Sequence, residues 1–275
     1  KMKLSIIITN YRTPDKLKQC LQSIFEYKLD RRFNFWEVIV SDSGTIENEQ
    51  KQITDLFPEI KFLPHQKNIG YARAVNRALK ITQGDYLLII NSDIIIPPDS
   101  HFEEMVNFLS QNQQTVGLIG PRLTNIDGSH QYSAFRFYNP LTILARRTIF
   151  GKTKIGQKIK NKFVIKKEIN NSIKTEKPLE VDWLMGSALL TTKTTAEKIG
   201  LFDERFFMYF EDVDWCRRFK KCGYKVIYFP KCRMIHYHLQ SSQQIGGIID
   251  FFISRYTRTH ILSWLKYCWK WKSFF

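Results

Sequence analysis

Four times between residues 4 and 112 an apolar run of strand length gives way to a helix-length amphipathic segment. "LSIIITNY" (4–11) is a β-branched run ending in polar residues, and "TPDKLKQCLQSIFEY" follows with Thr13 placed as N-cap and Pro14 at the first helical position. "WEVIVSDSGT" (36–45) reads as a second strand breaking into a turn, "EQKQITDLF" as a helix, and "IKFLPH" (60–65) as a third strand. "NIGYARAVNRALKIT" (68–82) is a turn and a helix that Gly84 ends. "DYLLIINSDIIIPP" (85–98) is a fourth strand, and "DSHFEEMVNFLSQ" a helix capped by Asp99 or Ser100. Such alternation predicts βαβ units, an α/β class and a mostly parallel sheet. Ligands of parallel sheets gather outside the carboxyl ends of the strands. The polar residues stand there: Thr9, Asn10 and Tyr11; Asp42; and Asn91, Ser92 and Asp93.

After about residue 115 the pattern becomes mixed. "TVGLIGPRLTNIDGSHQYSAFRF" predicts a strand and a hairpin, and "VDWLMGSALLTTKTTAEKIG" (181–200) a strand and a helix ended by Gly200. "YKVIYFPKCRMIHYH" predicts a strand pair, and the basic segment 146–177 reads as a linker. No run of about 18 uncharged apolar residues occurs, so no transmembrane helix is expected. The first residues turn polar too soon for a signal peptide, which predicts a domain starting directly with a strand. Cys20, Cys216, Cys222, Cys232 and Cys268 show no paired metal spacing and read as reduced thiols of an intracellular protein. The last 25 residues mix Arg and Lys with aromatic rings. That suits an anionic membrane face, nucleic acid, or an ordinary helix packed on its domain. Clustering of Trp264, Trp269 and Trp271 with Lys266, Lys270 and Lys272 predicts an amphipathic helix over 248–275 lying on a membrane.

Charge sharpens one question. The formal net charge is +16, yet Asp203, Glu204, Glu211, Asp212 and Asp214 fall within twelve residues. They either decorate one helix or perform acid–base or metal chemistry. A helix beginning near Glu211 accounts for Asp214, which can pair with Arg218 at i+4. Glu211 and Asp212 follow the aromatic run "RFFMYF", where apolar walls raise a carboxylate's pKa and suit it to abstracting a proton. Asp93 interrupts an apolar strand with Asn91 on the same face; it either caps a turn or holds Mg²⁺ or Mn²⁺ against a phosphate. Gly70, Arg73 and Asn76 can offer backbone N–H groups and a guanidinium to an anion. His236 and His238 alternate on one strand, as core histidines or as partners of Asp93 in a metal site or at a diphosphate.

Together and in this order, these pieces resemble the nucleotide-sugar glycosyltransferases of family 2, with the GT-A fold, and especially their rhamnosyltransferase-like branch. The likeness runs through "VIVSDSGT", "KNIGYARAVNRAL", "GDYLLIINSDIIIPP", "GLFDERFFMYFEDVDWCRRF" and "HYHLQSS", covering roughly residues 3 to 242. It implies a GT-A domain over 1–245, with a nucleotide-sugar half (1–115), an acceptor half (116–245) carrying the basic insert, and a tail from 246. Thr9, Asn10 and Tyr11 would line the nucleotide pocket, Asp42 would read the base edge, and Asn68, Gly70 and Arg73 would contact the nucleotide and diphosphate. Asn91-Ser92-Asp93 matches the family's DxD position, with metal binding resting on Asp93 and His236. Trp183 and Gly186 would shape the acceptor side, Asp212 would be the catalytic base, and Glu211 would lie beside it on the acceptor hydroxyl. "VSDSGT" stands where the family more usually has "VDNAS". The implied reaction is inverting transfer, assisted by Mg²⁺ or Mn²⁺, from a nucleoside-diphosphate sugar to a saccharide or lipid-linked saccharide. Rhamnose is favoured over UDP-galactose or UDP-N-acetylglucosamine as donor. The setting implied is cell-surface polysaccharide synthesis at the cytoplasmic face of the membrane, with no nucleic acid partner.

Overall fold

Strands rich in β-branched residues pair in parallel when helices cover both faces. In the computed structural model, which describes residues 2–27, 29, 33–138, 142, 145, 149–237 and 255–272, the first half is built this way. β1 (Met2–Tyr11), β2 (Phe33–Ser43), β3 (Lys61–His65) and β4 (Tyr86–Asn91) run parallel in the order β3-β2-β1-β4, joined by α1 (Pro14–Glu26), α2 (Glu47–Leu56) and α3 (Tyr71–Leu79). Alternate residues feed opposite cores. Ile7, Ile39 and Ile89 pack with Ala72 and Val75 of α3, while Ile6, Ile8, Val38 and Ile90 pack with Leu17, Leu21 and Ile24 of α1.

The second half comprises β5 (Ile94–Ile95), α4 (Phe102–Asn112), β6 (Val116–Thr124), β7 (His130–Gln131), β8 (Ala134–Phe135), α5 (Lys154–Val164), α6 (Lys166–Thr175), β9 (Leu179–Val181), β10 (Trp183–Leu184), β11 (Ala188–Thr192), α7 (Lys193–Ile199), α8 (Glu211–Lys221), β12 (Lys225–His236) and α9 (Arg255–Trp271). The sheet continues β4-β11-β6-β12-β5, with β11 antiparallel to both neighbours and β12 parallel to β6. The α/β class therefore holds, mostly parallel in the first half and mixed in the second. Two connections place the site. The chain leaves β4 at Ser92-Asp93 and re-enters the sheet at the far edge, where Ile94 pairs with His236, so Asp93 and His236 meet. β11 lies along β4, and the Asn91 amide donates to the Ser187 carbonyl, which sets Gly186 beside the open end of β4.

Several local expectations are corrected. The run 85–98 is two strands, because the chain changes sheet edge at Asp93. Thr13 occupies the N-cap position of α1, but its hydroxyl donates to Asn10 Oδ1 and touches Ser92 Oγ instead of capping. α3 stops at Leu79; Gly84 instead lies against β1, where an added Cβ would sit 2.4 Å from the Ser5 nitrogen. His101, in the left-handed region, precedes α4, while Asp99 pairs with Arg233 and buried Ser100 contacts Cys232. Residues 225–236 form one strand whose register shifts between Phe229 and Arg233, so the chain bends there without turning back. The described part of the basic segment is helical, and Phe163, Ile165 and Ile169 pack into the core, as a linker's residues would not.

Helix α9 divides the tail's residues. Tyr267 and Cys268 are buried, and Lys270 and Trp271 turn inward onto Asp214. Leu262, Leu265, Trp269 and Lys272 face outward, and exposed Lys266 reaches from that face back to the Arg205 carbonyl. The alternative of a helix packed on its domain is thus realised on one face. Among the described residues, no helix is long and apolar enough to cross a membrane.

Candidate active site

The carboxyl ends of β1 and β4 open into a cleft of about 380 Å³, lined on one side by Thr9, Asn10, Tyr11, Asn91, Ser92 and Asp93. Opposite stand Asn68, Gly70 and Tyr71 at the start of α3, with Phe207 and Met208 from the loop before α8. Thr9 Oγ1 donates to Asn91 Oδ1, and the Ser92 amide donates to the Thr9 carbonyl, which fixes the two strand ends together. Tyr11 remains 41% exposed, a ring open to stacking. Gly70 has φ +84, and a Cβ there would sit 2.5 Å from the Phe207 carbonyl oxygen, the atom that accepts the Tyr71 amide. Only glycine allows that approach.

Asp93 and His236 form the cleft's cation-seeking pair. His236 Nε2 lies 3.3 Å from Asp93 Oδ1, while Nδ1 donates to Gln131 Oε1 at 2.8 Å. A ring that gives its Nδ1 proton to a neighbour turns Nε2 outward as a metal ligand. Asp93 Oδ1 is buried and, among the described residues, makes no hydrogen bond. A buried, unsatisfied carboxylate oxygen beside an imidazole nitrogen fits a hard divalent cation whose remaining ligands are water and phosphate oxygens. Among the described residues there is no cluster of three or more His, Cys, Asp or Glu, so protein ligands alone would not complete the shell.

The five clustered carboxylates separate into two groups. Asp203 pairs with Arg205 and Lys270, Glu204 with Arg73, and Asp214 with Arg218 and Lys270. Glu211 and Asp212 have no cationic partner among the described residues. Burial pushes Asp212 up to about 6, against the hydrogen bonds its oxygens accept from the amides of Gly186 and Val213. Burial, then the charge of Asp212, raises Glu211 well above the usual range, and its Oε2 is buried without a hydrogen bond. Before them Tyr209 and Phe210 adopt φ of 70 and 67. Left-handed backbone at non-glycine residues costs about 1–3 kcal/mol each and clusters at functional sites.

Tyr71 links the two ends of the crevice. Its phenol donates to the Gly186 carbonyl, and a Cβ on Gly186 would lie 3.5 Å both from that phenol and from Asp212 Oδ2. Burial, Glu211, Asp212 and Asp93 together raise the Tyr71 pKa, so all three carboxylates act on one hydroxyl. The sequence reading missed Tyr71, because a tyrosine opening a helix carries no chemical signature until its neighbours are known. It also missed Tyr256 and Thr259, which bring α9 to the rim of the cleft.

Other expected residues lie elsewhere. Arg73 is on another face of α3 from Gly70, Tyr71 and Ala74, and lines a separate depression with Glu204, Arg205, Lys266 and Trp269. Asp42 is fully buried beneath the cleft, accepting from Asn10 Nδ2, Thr45 Oγ1 and the Thr45 amide, so it orients Asn10 and presents no edge of its own. Trp183 is 6% exposed within a stack with Phe135, Tyr138 and Phe163, its indole N–H given to the Arg136 carbonyl. His238 lies outside the described residues.

A mostly parallel α/β half joined to a mixed half, with a polar cleft at the carboxyl ends of the parallel strands, is a GT-A-like fold. The sequence pattern of glycosyl transferase family 2 matches residues 5–216, and the chain belongs to that family. It is 27% identical over 216 residues to an N-acetylglucosaminyl-diphospho-decaprenol L-rhamnosyltransferase of Mycobacterium tuberculosis, covering 74% of this chain and 67% of that one. It is 25% identical over 272 residues to the rhamnosyltransferase WbbL of Escherichia coli, covering 95% and 91%. Among solved structures it resembles GalNAc-T7 with UDP, GalNAc and Mn²⁺ (TM-score 0.63, 13% identity), covering 88% of this chain but only 45% of that one, a likeness of fold.

Proposed function

We propose that this family 2 glycosyltransferase moves a sugar, rhamnose foremost, from a nucleoside diphosphate to a hydroxyl of a saccharide or lipid-linked saccharide, with inversion, in cell-surface polysaccharide synthesis. The observation that carries this reading is that Glu211 and Asp212 make no ion pair with any described cation, and that Tyr71, which lines the cleft with Asp93, donates to the Gly186 carbonyl while the Gly186 amide donates to Asp212. The rhamnosyltransferase relatives favour rhamnose as the sugar transferred.

In this reading Asp212, ionised above about pH 6, takes the proton of the acceptor hydroxyl. The acceptor oxygen bonds to the anomeric carbon as the bond from that carbon to the diphosphate oxygen breaks on the opposite side, which inverts the centre. The Gly186 amide holds Asp212 aimed, and Glu211, whose pKa is raised by burial and by the charge of Asp212, lies beside it on the acceptor side. Asn91, Ser92 and the Tyr11 ring bind the nucleotide side. Asp93 and His236 would hold Mg²⁺ or Mn²⁺, which neutralises charge on a departing diphosphate. Thermal shift against a panel of sugar nucleotides tests the reading. A dTDP- or UDP-linked sugar should raise Tm with Mn²⁺ present and much less without it. No shift with any sugar nucleotide would sink it.

The same reading places the enzyme on a membrane. Leu262, Leu265 and Trp269 recur at i, i+3 and i+7 on the outward face of α9, with Trp269 75% exposed and Lys266 and Lys272 beside them. Basic residues around an apolar stripe suit anionic headgroups. The full chain should co-sediment with vesicles containing phosphatidylglycerol, and Leu265→Ser with Trp269→Ser should leave most of it in solution; equal partitioning of the two proteins would count against membrane docking.

A further inference from the structure

Helix α9 lies beyond the stretch that matches the family pattern, yet one face of it grips the loop that presents the two uncompensated acids. His260 packs its ring on Tyr209 and Phe210, at centroid distances of 4.9 and 5.3 Å, and Tyr267 packs on Phe210 at 5.4 Å. Ser263 Oγ donates to the Met208 carbonyl, and Lys266 Nζ to the Arg205 carbonyl, both at 2.8 Å. These residues fall at helical spacing, so one face meets the loop along its length. At its end, Lys270 Nζ lies 2.7 Å from both Asp203 and Asp214, and the Trp271 indole donates to Asp214 at 2.8 Å. Asp203 precedes the left-handed turn and Asp214 follows it. One ammonium therefore joins the two ends of the acidic stretch, and the acids that do not touch the reaction explain themselves as its anchors.

We propose that Lys270 and Trp271 are positioning residues for the glycosyl transfer, clamping Asp203 and Asp214 so that the strained Tyr209–Phe210 turn holds Asp212 under the Gly186 amide. The clamp has a reason to exist. A left-handed turn at two non-glycine residues persists only where its surroundings over-determine it, and α9 supplies contacts on one side of this turn. Asp214 is fully buried, so its charge needs partners, and two of them come from α9. The helix also brings Tyr256 and Thr259 to the cleft, so it borders that cleft while gripping the loop that leads to Asp212.

This inference rests on the assignment of Asp212 as base, and the experiment separates the two. Steady-state kinetics of the full chain are compared for wild type, Lys270→Met, Lys270→Arg, Trp271→Phe and Asp212→Asn, with Tm recorded for each. Lys270→Met should lower kcat roughly ten- to a hundredfold, the scale of a misplaced catalytic group. Donor KM should stay within about twofold, since Lys270 lies about three to four turns along α9 from Thr259 and Tyr256 and the strand ends that hold the nucleotide are untouched. Lys270→Arg, which keeps the charge, should recover most of kcat. Trp271→Phe keeps an aromatic ring but loses the indole N–H and its five-membered ring, so it should lower kcat in the same direction by less. If Lys270→Met does not fold, Trp271→Phe carries the test. A folded Lys270→Met or Trp271→Phe that keeps wild-type kcat, or whose loss falls on donor KM alone, overturns the clamp. Should Asp212→Asn keep full turnover, the base assignment fails instead.

Discussion

Asp212→Asn should cut turnover by about 10²–10⁴, the usual share of a general base, while leaving donor binding intact. The proposed donor contacts lie on β1, β4 and the start of α3, whereas the hydrogen bonds that Asp212 accepts, among the described residues, come from the Gly186 and Val213 amides. The pH dependence gives a second handle. With its carboxyl raised to about 6, wild-type kcat/KM should climb with pH and level off above about 6. Stability runs the other way. Between the ordinary aspartate value near 3.8 and about 6, the folded protein binds more protons at this site than the unfolded chain, so stability falls as pH rises through that window. The Asn variant lacks this ionisation, and its Tm should fall less between pH 4 and pH 7 than that of the wild type. A wild type whose Tm falls no more than the variant's over that range would show that the carboxylate is not held against its charge.

Legibility in the sequence followed the range over which the responsible forces act. β1 to β4 and their helices were readable because burial on both faces forces continuous apolar runs and because helical spacing marks α1 and α3. The break at Asp93 was visible, but its consequence was not. The two residues of β5 pair with Ile235 and His236, about 140 positions later, and nothing local announces that pairing. The same blindness hid the end of α3 and the turn before α4. Gly84 serves the approach of β1, and Ser100 serves Cys232 and the Arg233 amide.

In the site, acids were readable because a carboxylate among apolar neighbours demands an explanation. Arg73 was misplaced because a motif gives positions along a helix but not which face meets the cleft. Asp42 and Trp183 were expected at a surface, since motif matching carries no measure of depth. Tyr71 and α9 were illegible for a further reason: their parts in the site exist only through contacts with Gly186, Asp212 and Asp214 that the fold creates. The acidic cluster posed the right question, and its answer lay partly in Lys270, some 60 residues further on.

Asp93→Ala should abolish the response to Mn²⁺ and lower turnover by about 10³, a loss on the scale of several kcal/mol of charge stabilisation. The informative part is what should not change. Asp93 Oδ1 is buried without a hydrogen bond among the described residues, and its backbone carbonyl, which accepts from the Tyr237 amide, survives the substitution. A buried oxygen without a hydrogen bond costs stability, and its 3.3 Å contact with His236 Nε2 offsets that cost, so its removal should leave the metal-free Tm close to that of the wild type. A residue that merely capped the turn after β4 behaves in the opposite way, since truncating a side-chain cap costs about 0.5–2 kcal/mol. Thermal denaturation in chelator, followed by Mn²⁺ titration with the sugar nucleotide present, therefore separates the two roles Asp93 could play. A clear drop in metal-free Tm with the Mn²⁺ response intact assigns Asp93 to the turn. An unchanged Tm with the response gone assigns it to the cation, and with it the leaving-group side of the crevice that Tyr71 joins to Asp212.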